Sequence, residues 1–146
     1  MSDIKLTTGV KEYRVLNEND QVMGVISINV KDKNFMQRAD AAKERIDKMI
    51  ADCIAIMSDM SVDDAYDKLV KQDAEIKQEV DYMFGSTVAK VVFGKAHCLS
   101  THKGTTYIER FFDAILPVIT KDFEDEAKAS AARMEKYKPV DAFEKS

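Results

Sequence analysis

The chain has 146 residues, 45% hydrophobic and 33% charged, a composition that excludes collagen-like, low-complexity and wholly disordered polymers. Its 26 acidic and 22 basic residues give a net charge of −4, so no overall positive field attracts nucleic acid or anionic lipid. Two cysteines, Cys53 and Cys98, are too few for a secreted disulfide scaffold and fit reduced thiols. Since neither a signal peptide nor a membrane span is visible, we expect a cytoplasmic protein without nucleic-acid or membrane partners.

Residues 10–31 predict a β-hairpin. The turn-forming run 17–20 separates two extended segments, and in the second segment Ile26, Ile28 and Val30 alternate with polar residues. A two-stranded ribbon alone is barely stable in water, so we expect it to lie on helices or to pair with another chain.

Two amphipathic helices are predicted next. Asp32 or Asn34 caps the first, and Ser61 with Asp64 forms a capping box for the second. The apolar stripe of the first helix is Ala39, Ala42, Ile46, Met49, Ile50, Cys53 and Met57. The stripe of the second is Val62, Tyr66, Leu69, Ile76, Val80 and Met83. Asp73 interrupts the second stripe, which favours ordinary helix packing over a long coiled coil.

Residues 59–84 hold three basic and eight acidic side chains, which indicates a negative helix face.

A short third helix is predicted after Gly85, which supplies the helix-ending glycine. Ser86 or Thr87 would cap this short helix, and it would end at Phe93-Gly94, before a loop at residues 95–104.

A long last helix is predicted to begin at a capping box formed by Thr106 and Glu109. We expect a kink or a break at Pro117, because proline lacks the N–H that a helix needs, and a stop at Pro139. The predicted fold is therefore mainly α (α+β). It is one domain over residues 1–146, with the hairpin at 10–31, four or five bundled helices at 34–138 and a frayed tail at 139–146.

Candidate metal ligands cluster on the 95–104 loop. His97, Cys98 and His102 lie within six residues, and Cys53 is a conceivable fourth ligand. Structural zinc sites usually recruit two paired ligand clusters, whereas this sequence offers one, so a polar loop with a half-buried thiol is the favoured interpretation. No phosphate-binding loop and no converging nucleophile, base and acid are recognisable. We therefore expect no metal, no cofactor and no enzymatic activity.

The C-terminal half carries a candidate partner-binding stripe on a helix too long to be covered by a domain of this size. Its residues are Phe111, Phe112, Phe123, Ala127, Ala131, Met134 and Tyr137. Such a stripe would accept an amphipathic helix of another chain. An interpretation of equal weight is that the stripe folds back onto the first two helices.

Several short motifs resemble one family. They are Val80-Asp81-Tyr82-Met83-Phe84-Gly85, the second Phe-Gly pair at 93–94, the segment 107–119 and Met134-Glu135-Lys136-Tyr137. The extended segment 12–30, the following Asp32-Lys33-Asn34-Phe35 and Arg38 agree as well. Over about residues 10–140 the chain is similar to the tail assembly chaperones of phages and prophages of Gram-positive bacteria.

This resemblance implies a non-enzymatic role. Such a chaperone keeps the long, coiled-coil-prone tape measure protein soluble in the host cytoplasm, helps to recruit tail tube subunits, and is absent from the mature virion. Homo-oligomerisation is compatible with this role. The alternative is a permanent structural component of a tail or baseplate.

Overall fold

The computed structural model describes residues 1–29, 31–59 and 61–135. An antiparallel hairpin is followed by four helices within these ranges, and a second, very small hairpin precedes the last helix. In chain order the elements are β1 (Lys11–Leu16), β2 (Val22–Ile28), α1 (Asn34–Asp59), α2 (Val62–Phe84), α3 (Ala89–Phe93), β3 (Thr101–His102), β4 (Thr105–Thr106) and α4 (Tyr107–Glu135). The predicted class, a mainly helical α+β fold with a hairpin in front and a long last helix, is confirmed.

The hairpin lies on the helices through one face. Ile26 and Ile28 are buried in the core, as their alternation predicts, while Val30 lies outside the described residues. At Gly24 the hairpin approaches α3 so closely that an added Cβ would stand 2.7 Å from Cγ1 of Val91. A side chain at this position would therefore push the hairpin away from α3.

Helix α1 begins as its sequence predicts, with the Asn34 N–H donating to Oδ1 of Asp32 at 3.0 Å. On its stripe Ala42, Ile46 and Cys53 are buried, and Ala39, Met49 and Ile50 are half-buried; the side chain of Met57 is outside the described part. The stripe thus forms the side of α1 that packs on the core.

The predicted core stripe of α2 is correct only in its C-terminal half. Ile76, Val80 and Met83 are buried, whereas Val62 is 85% and Tyr66 66% exposed. The segment before α4 contacts α2 at Leu69, whose carbonyl oxygen lies 3.0 Å from Nε2 of His97. Val62 and Tyr66 lie in the first two turns of α2, on the N-terminal side of this contact.

The cap of α3 differs from the prediction. The N-cap is Val88, and neither Ser86 nor Thr87 caps the helix. Instead, Oδ1 of Asp81 on α2 accepts the N–H groups of Val88 and Ala89, both at 2.8 Å. Because a carboxylate from the preceding helix supplies the cap, the turn around Gly85 (φ 68°) is fixed at both ends.

The predicted loop 95–104 is partly wrong as well, because residues 101–104 form β3 and the turn of the β3–β4 hairpin. Lys103 (φ 51°) and Gly104 (φ 84°) form its two-residue turn in the left-handed conformation. Two successive left-handed residues match the twist of a tight hairpin, and the Lys-Gly pair was the sequence signal for it.

Helix α4 begins at the predicted capping box: the Glu109 N–H donates to Oγ1 of Thr106 at 3.2 Å, and Oε1 of Glu109 accepts the Thr106 N–H. The helix then continues through Pro117 to Glu135, so of the expected kink or break, the break is wrong. Phe111 and Ile119, buried on either side of the proline, hold both halves against the core. The expected stop at Pro139 lies outside the described residues.

The centre of the core is a group of aromatic rings. Phe84 contacts Phe35 and Phe111 at centroid distances of 5.8 and 5.9 Å, and Phe93 contacts Tyr107 and Phe111 at 5.0 and 5.9 Å. Each Phe-Gly pair thus places a phenylalanine in the core where its helix ends. Phe111 contacts the phenylalanines of both pairs, Phe84 and Phe93, so α4 is packed against the C-terminal ends of α2 and α3.

Candidate functional site

A cluster of two half-buried polar residues and one buried cysteine joins α2 to the segment before α4. Ligand-type atoms of Asp73, His97 and Cys98 lie within 4.8 Å of one another. The carboxylate of Asp73 accepts the Cys98 N–H at 2.8 Å and pairs with Nζ of Lys77 at 2.8 Å. Although burial opposes ionisation of Asp73, the bonds from Lys77 and Cys98 hold the pKa of its carboxyl below the usual value.

The other two members of the cluster are also engaged by the protein. His97 Nδ1 lies 3.1 Å from the Leu99 backbone nitrogen, and Nε2 lies 3.0 Å from the Leu69 carbonyl oxygen, so both ring nitrogens have a backbone partner. Cys98 is fully buried, and this burial, together with Asp73, raises the pKa of its thiol far above neutrality. A protonated thiol that is shielded from solvent is a poor nucleophile. The bonds of Asp73 with Cys98 and of His97 with Leu69 link α2 to the segment before α4.

The cluster in the structure differs from the set of metal ligands that the sequence suggested. Asp73, which the sequence marks only as an interruption of a stripe, takes the place expected for His102. His102 is exposed on β3, and Cys53 on α1 donates to the side-chain oxygen of Gln72. The suggested set of two histidines and two cysteines is therefore not brought together within the described residues.

The second half of α4 carries an exposed apolar surface, which we call the distal stripe: Phe123, Ala127, Ala131 and Met134. Phe123 is 37% and Met134 66% exposed, and both alanines are exposed. Their spacing of four, four and three residues places them on one side of the helix. The last buried residue in the described part of α4 is Ile119. The interpretation in which this stripe folds back onto the first two helices is therefore wrong for its described members.

Polar contacts with the hairpin orient this part of α4. Asp122 pairs with Nζ of Lys11 at 3.2 Å and accepts a hydrogen bond from the Tyr13 hydroxyl, while Glu126 lies 4.0 Å from Lys31. The bond from Tyr13, followed by Lys11, lowers the pKa of Asp122. Successive helical residues are separated by about 100°, so Phe123 is about 100° from Asp122 and about 60° from Glu126, at the edge of this contact side, and Ala127, Ala131 and Met134 lie further from it. The hairpin thus holds α4 without covering the distal stripe.

The remaining predicted site residues lie elsewhere. Phe111 is 8% exposed and belongs to the aromatic core, and Phe112 is half-buried with its ring 5.6 Å from that of Phe111. Packing on α2 and α3 makes Phe111 unavailable to a partner. Tyr137 lies outside the described residues.

The structure has a second exposed apolar surface, on α2, which the sequence analysis did not predict. Val62, Tyr66 and Val70, which we call the α2 patch, are 85%, 66% and 52% exposed. Their spacing of four residues puts them on one face of α2, bordered by Asp63 and Asp67. The spacing of apolar residues could not reveal this exposure, because the same spacing occurs on a helix face that another element covers and on one that stays exposed. The acidic excess of this segment was the available signal.

No protein-family model, no curated protein and no solved structure matches this chain. Within the described residues, no helix is both long and apolar enough to cross a lipid bilayer.

Proposed function

We propose that this chain is a phage tail assembly chaperone that binds the tape measure protein, keeps it soluble and helps to recruit tail tube subunits in the host cytoplasm. The proposal combines the resemblance given above with one structural observation. That observation is the distal stripe, an apolar surface on α4 whose four residues are all exposed, from Phe123 at 37% to Met134 at 66% among its large side chains.

The form of the stripe suits a helical partner. From Phe123 to Met134 it extends over three turns, or about 17 Å at 1.5 Å per residue. Two alanines between larger side chains leave a shallow surface on which the backbone of another helix can lie closely. An apolar helix face of a tape measure protein would be shielded from water there, and its aggregation would be suppressed because binding lowers the concentration of exposed segments.

Recruitment of tube subunits needs a second, separate surface. The α2 patch meets this need because it lies on another helix and is bordered by acidic residues, whereas the distal stripe is flanked by charges of both signs. We assign the tape measure contact to the distal stripe and the tube contact to the α2 patch. Each assignment can then be tested by substitutions that leave the other surface intact.

The experiment is co-expression with the cognate tape measure protein. The wild-type chain should raise the soluble yield of the tape measure protein several-fold and co-purify with it. Phe123→Ser combined with Met134→Ser should abolish both effects, since two buried apolar contacts would be replaced by hydroxyls. Substitutions are preferable to truncation after Pro117, because truncation would remove the buried Ile119 and the contact of Asp122 with the hairpin.

The matched control is Val62→Ser combined with Val70→Ser, which removes a similar apolar area from the α2 patch. This variant should still capture the tape measure protein. If the tape measure protein is equally insoluble with and without the wild-type chain, the proposal is wrong. If both double variants lose capture equally, the assignment of the contact to the distal stripe is wrong.

Mass spectrometry of purified phage particles separates the chaperone from the structural alternative. A chaperone is absent from the finished particle, whereas a tail or baseplate component is present in fixed stoichiometry. Detection of this chain at subunit stoichiometry would favour the structural role.

A further inference from the structure

We propose that residues 2–7 of one chain pair as an antiparallel strand with the unpaired edge of β1 in a second copy, and that the reciprocal exchange forms a two-fold symmetric dimer. The observation behind this proposal is the match between an extended, exposed apolar arm and a strand edge of complementary charge. The exchange is independent of the function proposed for the distal stripe.

The N-terminal arm, residues 1–8, lies in solvent without secondary structure. Ile4 is 94% and Leu6 78% exposed, values higher than those of most other large apolar side chains in the described chain. These two residues alternate with Asp3, Lys5 and Thr7, the period-2 pattern of a strand with one face to bury. The arm therefore has the pattern of a strand that has not been paired.

The edge of β1 offers a place for such a strand. The hairpin sheet has two strands, and in the described residues the backbone of β1 is hydrogen-bonded to β2 alone. Tyr13 lies opposite the buried Ile26 and so shares the inner face, whereas Glu12 and Arg14 lie on the outer face. An unprotected edge of this kind pairs readily with another extended segment.

Charge selects one register. When Ile4 is placed opposite Tyr13 in an antiparallel pair, Asp3 faces Arg14 and Lys5 faces Glu12. Ile4 then extends the apolar inner face, and both outer pairs are of opposite charge.

Shifted registers that keep Ile4 on the inner face are unfavourable. A shift of two residues in one direction sets Asp3 against Glu12, and a shift in the other direction sets Lys5 against Arg14. Both alternatives place like charges opposite each other, so the pairing is specific.

The same register could be reached within one chain by a tight turn at Thr8-Gly9, but the structure favours a second copy. The Thr8 carbonyl oxygen accepts a hydrogen bond from Nδ2 of Asn29, the residue after β2, at 3.0 Å. This bond holds Thr8 beside the end of β2, and a fold-back of the arm at Thr8-Gly9 would break it. Pairing between two copies keeps the bond, and the register is symmetric, so each arm meets the other β1 identically.

The test uses sedimentation velocity over a range of protein concentrations, with the full chain. The wild-type protein should show a reversible monomer–dimer equilibrium. Asp3→Arg places arginine against Arg14, and Arg14→Asp places aspartate against Asp3. Each variant should raise the dimer dissociation constant about tenfold or more, because every substitution disturbs two symmetric pairs.

Mixing the two variants is the decisive step. In the mixed dimer the arginine introduced by Asp3→Arg faces the aspartate introduced by Arg14→Asp, and the unchanged Asp3 and Arg14 face each other, so both pairs are again of opposite charge. The mixture should dimerise about as tightly as the wild type, whereas pairing within one chain would not respond to mixing. Asp47→Arg, an equal charge change on the exposed side of α1, should leave the dimer unchanged.

Three results would overturn the proposal. The first is a wild-type chain that stays monomeric up to the highest concentrations that can be measured. The second is a dimer that persists unchanged when Ile4→Pro removes a backbone donor from the exposed arm. The third is a mixture of the two charge variants that associates no better than either variant alone.

Discussion

The two halves of α4 have similar apolar spacing and opposite surroundings. Before Pro117, Ile108 and Phe111 are buried against α2 and α3, whereas Phe123 and Met134 of the second half are exposed. At about 1.5 Å per residue the 29 residues of this helix measure about 43 Å, longer than the elements that pack against it. The first half of α4 therefore contributes to the core and the second half forms external surface. The difference depends on which half the neighbouring elements contact.

The largest effect is expected for Phe111→Ala, at the centre of the aromatic core. Loss of its contacts with Phe84 and Phe93 should lower the free energy of unfolding by about 3–5 kcal/mol. Phe123→Ala, the same substitution in the distal half, should cost less than about 1 kcal/mol because its ring is more exposed. Urea unfolding of both variants measures this difference. Equal losses would mean that the distal half also belongs to the core.

A smaller effect is expected at Asp73, which links α2 to the segment leading into the buried half of α4. Asp73→Asn should cost about 2 kcal/mol at pH 7, since the charge-assisted bonds to Lys77 and Cys98 are weakened.

The pH dependence of this effect has a defined sign. Because the folded-state pKa of Asp73 lies below its usual 3.8, its contribution is complete above about pH 5 and is lost as the pH falls through the folded pKa. Between pH 5 and 2, stability should therefore fall more steeply in the wild type than in Asp73→Asn, while the Cys98 thiol stays protonated. Parallel curves would show that Asp73 is not held as a carboxylate in the folded state.

The elements of the fold follow from local signals in the sequence. The alternation at Ile26 and Ile28, the capping boxes at Ser61 and Thr106, and the helix-ending Gly85 each act over a few residues, and each is present in the structure. Such signals are readable because their physics involves neighbouring residues only.

The features that were missed depend on residues distant in sequence. Asp81 caps α3 from the preceding helix, and Asp73 replaces His102 as the partner of His97 and Cys98. Val62 and Tyr66 are exposed although they continue the apolar spacing of the buried residues of α2. A periodic pattern identifies the apolar face of a helix, but it does not show which part of that face another element covers.

The central claim, that the distal stripe binds a helix of another chain, can be tested by titration. Fluorescently labelled tape measure segments with amphipathic helical patterns would be titrated with wild-type protein, the Phe123→Ser/Met134→Ser variant and the Val62→Ser/Val70→Ser variant. We predict that both variants stay folded, that the distal variant loses at least about tenfold in affinity, and that the α2-patch variant binds like the wild type. Undiminished affinity in the distal variant would contradict the claim.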